Sequence, residues 1–384
     1  MKTKIIIGNS LDKLKHLQEQ SINTCITSPP YWGLRDYGES DQLGLEETPE
    51  EFVNNLVLLF REVKRVLRDD GTLWLNLGDS YAGPKGNNRG KGAGGGQERG
   101  KLLGFDNIKT KVPDGLKQKD LVGIPWRVAF ALQQDGWYLR QDIIWHKPNP
   151  MPESVKDRCT KAHEYIFLLS KSPKYYFDNE AIKEHAKFPD GPNSPQNIKK
   201  GKGGYGMDTR GVLSKIGALS KKNKRSVWTV TTKPFKGAHF ATFPQDLIES
   251  CVLAGCPEKI CVECDTPYKR KVNIKRTPRW ELSPDDPRYR PSKYDTEYDK
   301  LNGNTRFNVS EIEDLGLKKQ CDCETNETKP GTVLDPFGGS GTTGIVANSH
   351  NRNAILVELN PDYVDIMQAR FTKELGIFSK TEII

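Results

Sequence analysis

Hydrophobic and polar positions along this chain switch repeatedly between a period of two and a period near 3.6. Lys4-Ile5-Ile6-Ile7-Gly8-Asn9 is a short β-rich run closing on turn formers, which predicts a first strand. Asn23–Thr27 predicts a second, stopping at Ser28-Pro29-Pro30, where paired prolines forbid helix and ladder alike. Between Thr48 and Leu67 the apolar residues Phe52, Leu56, Leu59, Val63 and Val66 recur at the spacing of an amphipathic helix. Asp69-Asp70-Gly71 is expected to end that helix, and Thr72–Leu77 to form a buried strand. Leu121–Gln134 predicts a helix, Arg140–His146 and His163–Ser170 two strands, and Phe243–Ala254 another amphipathic helix. Thr332–Asp335, Gly341–Ser349, Asn353–Glu358 and Pro361–Leu375 then spell strand, helix, strand, helix. Alternation at these lengths predicts an α/β fold, a doubly wound and mostly parallel sheet to which both chain ends contribute.

Two stretches break the pattern. Gly83–Gly104 is glycine-rich and basic with almost nothing apolar, too little to offset the entropy cost of ordering. A mobile loop that orders on a polyanion is expected there, extending over 83–119. Between Ile182 and Lys236 the periodicity fades again into Gly, Asn and basic residues. No internal repeat is visible.

Composition refines this picture in three ways. A length of 384 residues suits a core plus an inserted or appended module, and 7 Trp, 13 Tyr and 14 Phe suffice for a core. The net charge of +8 is uneven: Lys and Arg concentrate in Lys85–Lys119, Lys183–Lys236 and Lys269–Lys293. Such blocks suit a polyanion partner, with a merely solubilising surface as the plain alternative. No apolar run approaches the roughly 18 residues of a membrane span, and no export signal opens the chain. A soluble cytoplasmic protein with no membrane partner is expected.

Two motifs carry candidate chemistry. Val333-Leu334-Asp335 is a strand tip, and Phe337-Gly338-Gly339-Ser340-Gly341-Thr342 is a tight turn into a helix. Glycines let the backbone approach a ligand closely, and the helix N-terminus offers oriented N–H groups. Glu358 ends the next strand, where a carboxylate can hold two ribose hydroxyls. Gly339–Gly344 also matches G-x-G-x-x-G, a dinucleotide pattern, although Asp-Pro-Phe before it is foreign to such sites.

The second motif is Thr27-Ser28-Pro29-Pro30-Tyr31. Pro29-Pro30 fixes an extended turn and removes two N–H groups, Ser28 adds a hydroxyl, and Tyr31 adds a flat ring. An exocyclic amino group on a base is a poor nucleophile because its lone pair is delocalised into the ring. If Ser28 and the Pro29 carbonyl each accept one of its hydrogens, the nitrogen is drawn toward a pyramidal form whose lone pair can attack. Tyr31 would stack on a base that has left the helix.

With these residues the chain resembles the amino-group DNA methyltransferases of the β arrangement, whose catalytic motif precedes the cofactor motif. The glycine loop resembles the methionine-side loop of S-adenosylmethionine-dependent enzymes. The resemblance implies a Rossmann-like methyltransferase fold, S-adenosylmethionine as cofactor, and double-stranded DNA as substrate. It implies catalytic roles for Ser28, Pro29, Pro30 and Tyr31. It implies cofactor contacts from Asp335, Phe337, Gly339, Ser340, Gly341, Thr342 and Glu358. Gly8-Asn9-Ser10 matches the motif at the cofactor adenine, with Asn9 where the family usually has Asp. His146-Lys147-Pro148-Asn149-Pro150 matches a motif near the base pocket, and His239–Leu247, with Phe243, a segment against the cofactor. The Ser-Pro-Pro-Tyr form is commoner in N4-cytosine enzymes than in N6-adenine ones, so N4 of a flipped cytosine is the expected target and N6 of adenine the alternative. A bacterial cell or a phage-infected host is the expected setting, with a cognate restriction endonuclease as a candidate partner.

Cysteines and basic residues complete the reading. Cys25 and Cys159 are expected to be buried thiols, and Cys251 and Cys256 packing residues. Cys261-Val262-Glu263-Cys264 and Cys321-Asp322-Cys323 suggest four thiolates around a structural zinc, with reduced unliganded thiols or a redox pair as alternatives. The expected organisation is a catalytic half at 1–181, a recognition region at 182–236, a cofactor half at 237–259 and 330–384, and an insertion at 260–329. Lys221, Lys222, Lys224 and Arg225 are candidate phosphate contacts and Trp228 a candidate stacking residue. An RNA or protein-amide methyltransferase, a nicotinamide dehydrogenase and a non-catalytic zinc-bearing DNA-binding module are the rival readings.

Overall fold

The computed structural model describes residues 1–34, 36, 38–39, 41–83, 112–185, 221–233, 243–278, 283–285, 308–376 and 380–384. Most of the glycine-rich stretch at 83–119, much of the basic 182–236 stretch and residues 239–242 lie outside them. The described chain divides into two units. The first comprises Met1–Asp178, Arg225–Pro267 and Cys321–Ile384, and the second Asn179–Lys224 and Tyr268–Gln320.

Among the described residues the first unit is built on a nine-stranded sheet. Its strands are β1 (Lys2–Ile7), β2 (Ile22–Thr27), β3 (Leu67–Leu77), β4 (Tyr138–His146), β5 (His163–Ser170), β6 (Val227–Thr229), β7 (Thr332–Asp335), β8 (Asn353–Glu358) and β9 (Lys380–Ile383). Their order in the sheet is β9-β1-β8-β7-β2-β3-β5-β4-β6. Neighbours from β9 through β3 run parallel, whereas β5 is antiparallel to both β3 and β4. All six residues of β2 are buried, as expected for a parallel strand covered on both faces. The sheet is joined across the chain: β7 pairs with β2 through Val333↔Thr24 and Leu334↔Cys25. In such open sheets ligands bind beyond the carboxyl ends of the strands, where the topology switches.

Among the described residues six α-helices flank the sheet: α1 (Ser10–Lys15), α2 (Pro49–Val66), α3 (Ile124–Gln134), α4 (Gln245–Gly255), α5 (Thr342–Ser349) and α6 (Pro361–Leu375). Helix α2 starts where Thr48 caps it. Its hydroxyl accepts from the Glu51 N–H at 3.2 Å, and the Glu51 carboxylate accepts from the Thr48 N–H at 3.3 Å. Phe52, Leu56, Leu59, Phe60, Val63 and Val66 are all buried against the core, each contributing about 1.5–3 kcal/mol of transfer free energy.

One boundary and two further elements stand out against the sequence pattern. Helix α2 ends at Val66 rather than at Asp69-Asp70-Gly71, because Leu67 is already extended (φ −69°, ψ 141°) and pairs with Ile22. The ladder then skips to Thr24↔Thr72, so the acidic turn bulges out of a strand instead of capping a helix. Helix α1 follows Gly8-Asn9, where only a turn is expected: the Asn9 side chain accepts from the Leu11 N–H at 3.0 Å and caps it. Strand β9 is exposed throughout and owes its form to pairing with β1.

Cys25, Cys251 and Cys256 are buried as expected, but Cys159 is exposed. It sits in the largely exposed β4–β5 connection beside Asp157 and Arg158. Trp228 is buried in β6, 6.4 Å from Trp74 ring to ring, so it packs the sheet and is not a surface for stacking bases.

The second unit contains an antiparallel ribbon, Lys269–Pro278 with Asn308–Lys318, and a short pair, Glu184–His185 with Lys221–Lys222. An Arg270–Asp314 ion pair of 2.7 Å crosses the ribbon.

Glycine is required at Gly341, which adopts φ +77° at the start of α5. A Cβ there would lie 2.8 Å from the Phe371 ring of α6. Gly341→Ala is therefore expected to cost about 1–3 kcal/mol through backbone strain and overpacking, read as a lowered denaturation midpoint.

Candidate active site

Thr27 and Asp335 are 308 positions apart in the chain, yet the Thr27 hydroxyl donates to Asp335 Oδ1 at 2.6 Å. This bond fastens the strand end that carries Ser28 to the strand end that carries the glycine loop. Asp335 is saturated by its neighbours. Oδ1 also accepts from the Phe337 N–H at 3.0 Å, and Oδ2 from the Thr343 hydroxyl at 2.6 Å. Burial pushes its carboxyl up to about 6, against these hydrogen bonds, which lower it. Asp335 thus organises the loop around it.

The glycine loop is held from the other side by Arg370 of α6. Its guanidinium donates to the Ser340 carbonyl and hydroxyl, each at 2.8 Å, and to the Thr342 hydroxyl at 3.0 Å. No sequence motif flags Arg370, because its partners are a turn of helix and a strand away. Ser10 of α1 donates to the Pro336 carbonyl and so ties the first strand-end motif to the loop.

Glu358, at the tip of β8, is 8% exposed and accepts from the Gly339 N–H at 2.7 Å and the Asn360 N–H at 3.0 Å. Burial pushes its carboxyl up to about 7, with a smaller push from the nearby Asp335 charge.

Beside the loop, the Ser28 hydroxyl donates to the Tyr31 hydroxyl at 3.5 Å, and the Tyr31 hydroxyl donates to Glu164 Oε2 at 2.7 Å. Asn76 joins this network, its side-chain amide donating to Glu164 at 3.3 Å and to the Tyr165 carbonyl at 3.0 Å. Lys147 completes it through an ion pair with Glu164 and lies 4.2 Å from the Trp145 ring centroid. The Tyr31 ring lies over Gly78, where a Cβ would meet it at 2.5 Å. Lys147 belongs to the His146–Pro150 motif, but Glu164 and Asn76 could not be found from sequence. They reach Tyr31 only because β5 runs antiparallel beside β3, pairing Asn76 with Ile166 and Leu77 with Tyr165.

Ser28–Tyr31 and most of the glycine loop open onto one cavity of about 580 Å³. Asn9, Ser28, Pro29, Pro30, Tyr31, Phe243, Asp335, Phe337, Gly339, Ser340, Thr342 and Glu358 all line it, joined by Glu164, Asn360 and Tyr363. All of these belong to the first unit. A buried acid, a glycine turn with positive φ and apolar walls fit a nucleoside-bearing ligand with ribose hydroxyls to donate.

The basic candidates stand elsewhere. Lys222 pairs with Glu184 at 3.6 Å, and Lys224 is half-buried. Arg225 is exposed, and its carbonyl accepts from the Trp228 indole at 2.7 Å. The Lys221 side chain lies outside the described residues. The four cysteines of the two C-x(n)-C pairs do converge, with their sulfurs within 4.8 Å of one another.

A mostly parallel sheet with a glycine turn and a strand-end acid beside Ser28-Pro29-Pro30-Tyr31 is the arrangement expected of an S-adenosylmethionine-dependent methyltransferase. Residues 22–263 and 323–369 match the N6/N4 methyltransferase family profile, described as a DNA methylase. The type II methyltransferase M.Cfr9I of Citrobacter freundii is 40% identical over 96% of this chain and 87% of its own length. For M.SmaI of Serratia marcescens the identity is 37%, over 96% and 91% respectively. Among solved structures, the cytosine-N4-specific PvuII DNA methyltransferase shares the fold, with a TM-score of 0.51 at 18% identity over 100% of this chain and 95% of that one. The chain belongs to the N6/N4 DNA methylase family and is an amino-group DNA methyltransferase. That membership ends the dehydrogenase reading of Gly339–Gly344. Among the described residues, no helix is long and apolar enough to cross a membrane.

Proposed function

We propose that this enzyme transfers a methyl group from S-adenosylmethionine to the exocyclic N4 of a cytosine flipped out of double-stranded DNA. The observation that carries the reading is that Ser28, Pro29 and Tyr31 share one cavity with Glu358 and the glycine loop. Glu358 would accept the two ribose hydroxyls, and the Gly339–Thr342 turn would hold the amino-acid end, with Asn9 and Phe243 against the rest. When bound, the cofactor supplies an electrophilic methyl group on a sulfonium centre.

The chain's own residues then prepare the nucleophile. Tyr31 stacks on the flipped base, which offsets part of the few kcal/mol lost in unstacking and unpairing. Ser28 Oγ and the Pro29 carbonyl accept the two amino hydrogens and favour a pyramidal nitrogen. Methylation makes that nitrogen cationic, and its excess proton is then lost to solvent, with Ser28 Oγ accepting the hydrogen bond until it leaves. Glu164, neutralised by Lys147, holds the Tyr31 hydroxyl and hence the ring plane.

Lys221, Lys222, Lys224 and Arg225 would contact phosphates, in which case binding weakens as salt rises. As the type II designation of the relatives suggests, the methylated sites would be protected from a companion endonuclease. The setting would be the cytoplasm of a bacterial cell or of a phage-infected host. N6 of adenine is the second reading, since the matched family spans both targets.

The test offers labelled S-adenosylmethionine and equal masses of duplex DNA, RNA and protein to the purified enzyme. Label in DNA, as N4-methylcytosine, is expected. Label in N6-methyladenine would move the assignment to the second reading, and label chiefly in RNA or protein would overturn it.

A further inference from the structure

Cys261 and Cys264 are separated from Cys321 and Cys323 by a long polar stretch, yet the four sulfurs lie within 4.8 Å of one another. A tetrahedral centre with metal–sulfur bonds of ~2.3 Å places its sulfurs about 3.8 Å apart, so small side-chain adjustments would complete it. The first pair sits on a built turn. The Cys261 N–H donates to the Thr266 carbonyl at 3.0 Å, and the Asp265 N–H to the Cys261 carbonyl at 3.1 Å. Asp265 takes φ +57° to close that turn. The second pair is brought alongside by Thr328–Lys329, which pairs antiparallel with Ile260–Cys261, and by the Val262 N–H donating to the Glu327 carbonyl at 3.3 Å. The C-x-C spacing therefore delivers two sulfurs to the same point even though it departs from the common knuckle. No disulfide bridges any of the four.

We propose that Cys261, Cys264, Cys321 and Cys323 form a structural zinc site that clasps the base of the 268–320 segment. The chain leaves the first unit after Pro267 and re-enters it at Cys321, so the ligands bracket both crossings. Four protein ligands leave no open coordination position, which makes the site structural and not catalytic. The described ribbon strands of the segment it closes are polar and largely exposed, and in such segments metal binding supplies folding free energy. None of the four residues lines the cavity that holds the clamp and the glycine loop. The ion's loss should therefore leave cofactor binding intact.

The full-length protein, purified without chelators, is assayed for metal by mass spectrometry and exchanged with Co²⁺. About one zinc per chain is expected, with thiolate charge-transfer and tetrahedral absorption bands on cobalt exchange. Cys264→Ser and Cys323→Ser should each abolish most of the metal content. Metal removal should speed proteolysis within 260–330 while S-adenosylmethionine affinity stays the same. A folded, cofactor-binding wild type that takes up neither Zn²⁺ nor Co²⁺ would overturn the proposal, as would disulfides among the four cysteines by mass. An unchanged proteolysis pattern after metal removal would overturn the clasping role. Should the serine variants fail to fold, the cobalt spectrum of the wild type decides.

Discussion

Glu358→Ala is expected to weaken S-adenosylmethionine binding about a hundredfold or more. The variant loses two hydrogen bonds to a charged acceptor, each contributing about 1.5–3 kcal/mol. The same group makes binding pH-dependent. Its carboxyl titrates near 7 because burial disfavours the charge, and only the ionised form accepts from two hydroxyls at once. Affinity should therefore rise as pH increases through about 7. Stability of the cofactor-free enzyme should move the other way. Glu358 and Asp335 hold protons more tightly folded than unfolded, so their contribution is complete at low pH and is lost as pH climbs from the ordinary carboxylate range toward their raised values. Isothermal titration across pH, beside melting curves without cofactor, reads both trends. Glu358→Gln should flatten the affinity profile. A profile unchanged in that variant would remove Glu358 from the ribose site.

Ser28→Ala is the second large effect. Turnover should fall roughly 10- to 100-fold, the worth of a hydrogen bond to a nitrogen that becomes cationic in the transition state. Cofactor affinity should not change, because Ser28 bonds to Tyr31 and not to the glycine loop. Single-turnover methyl transfer separates this from slow product release. Full single-turnover rate in the variant would leave the clamp without its hydroxyl acceptor.

How much of this could be read from sequence depended on whether the determinants were local. The strand, helix, strand, helix series at 332–375 is found within a residue of its expected bounds. There the proline and asparagine caps, the glycine turn and the apolar stripe all lie within a few positions of what they control. The clamp and the loop were legible for the same reason, and the sheet confirms that they meet. Partnerships across the sheet were not legible. Glu164 acquires its role only from the antiparallel register of β5, and Arg370 only from the packing of α6 on the loop. Strand β9 has no apolar pattern and exists through its ladder with β1. Trp228 looked like a surface for bases because a lone aromatic among lysines gives no sign of burial, yet β6 carries it into the sheet.

The most direct measurement is nucleoside mass spectrometry of genomic DNA from cells expressing the wild type or Ser28→Ala. N4-methylcytosine is expected in the first and little or none in the second at matched expression. Neither N4-methylcytosine nor N6-methyladenine in wild-type DNA, or equal levels from both proteins, would contradict the proposed mechanism.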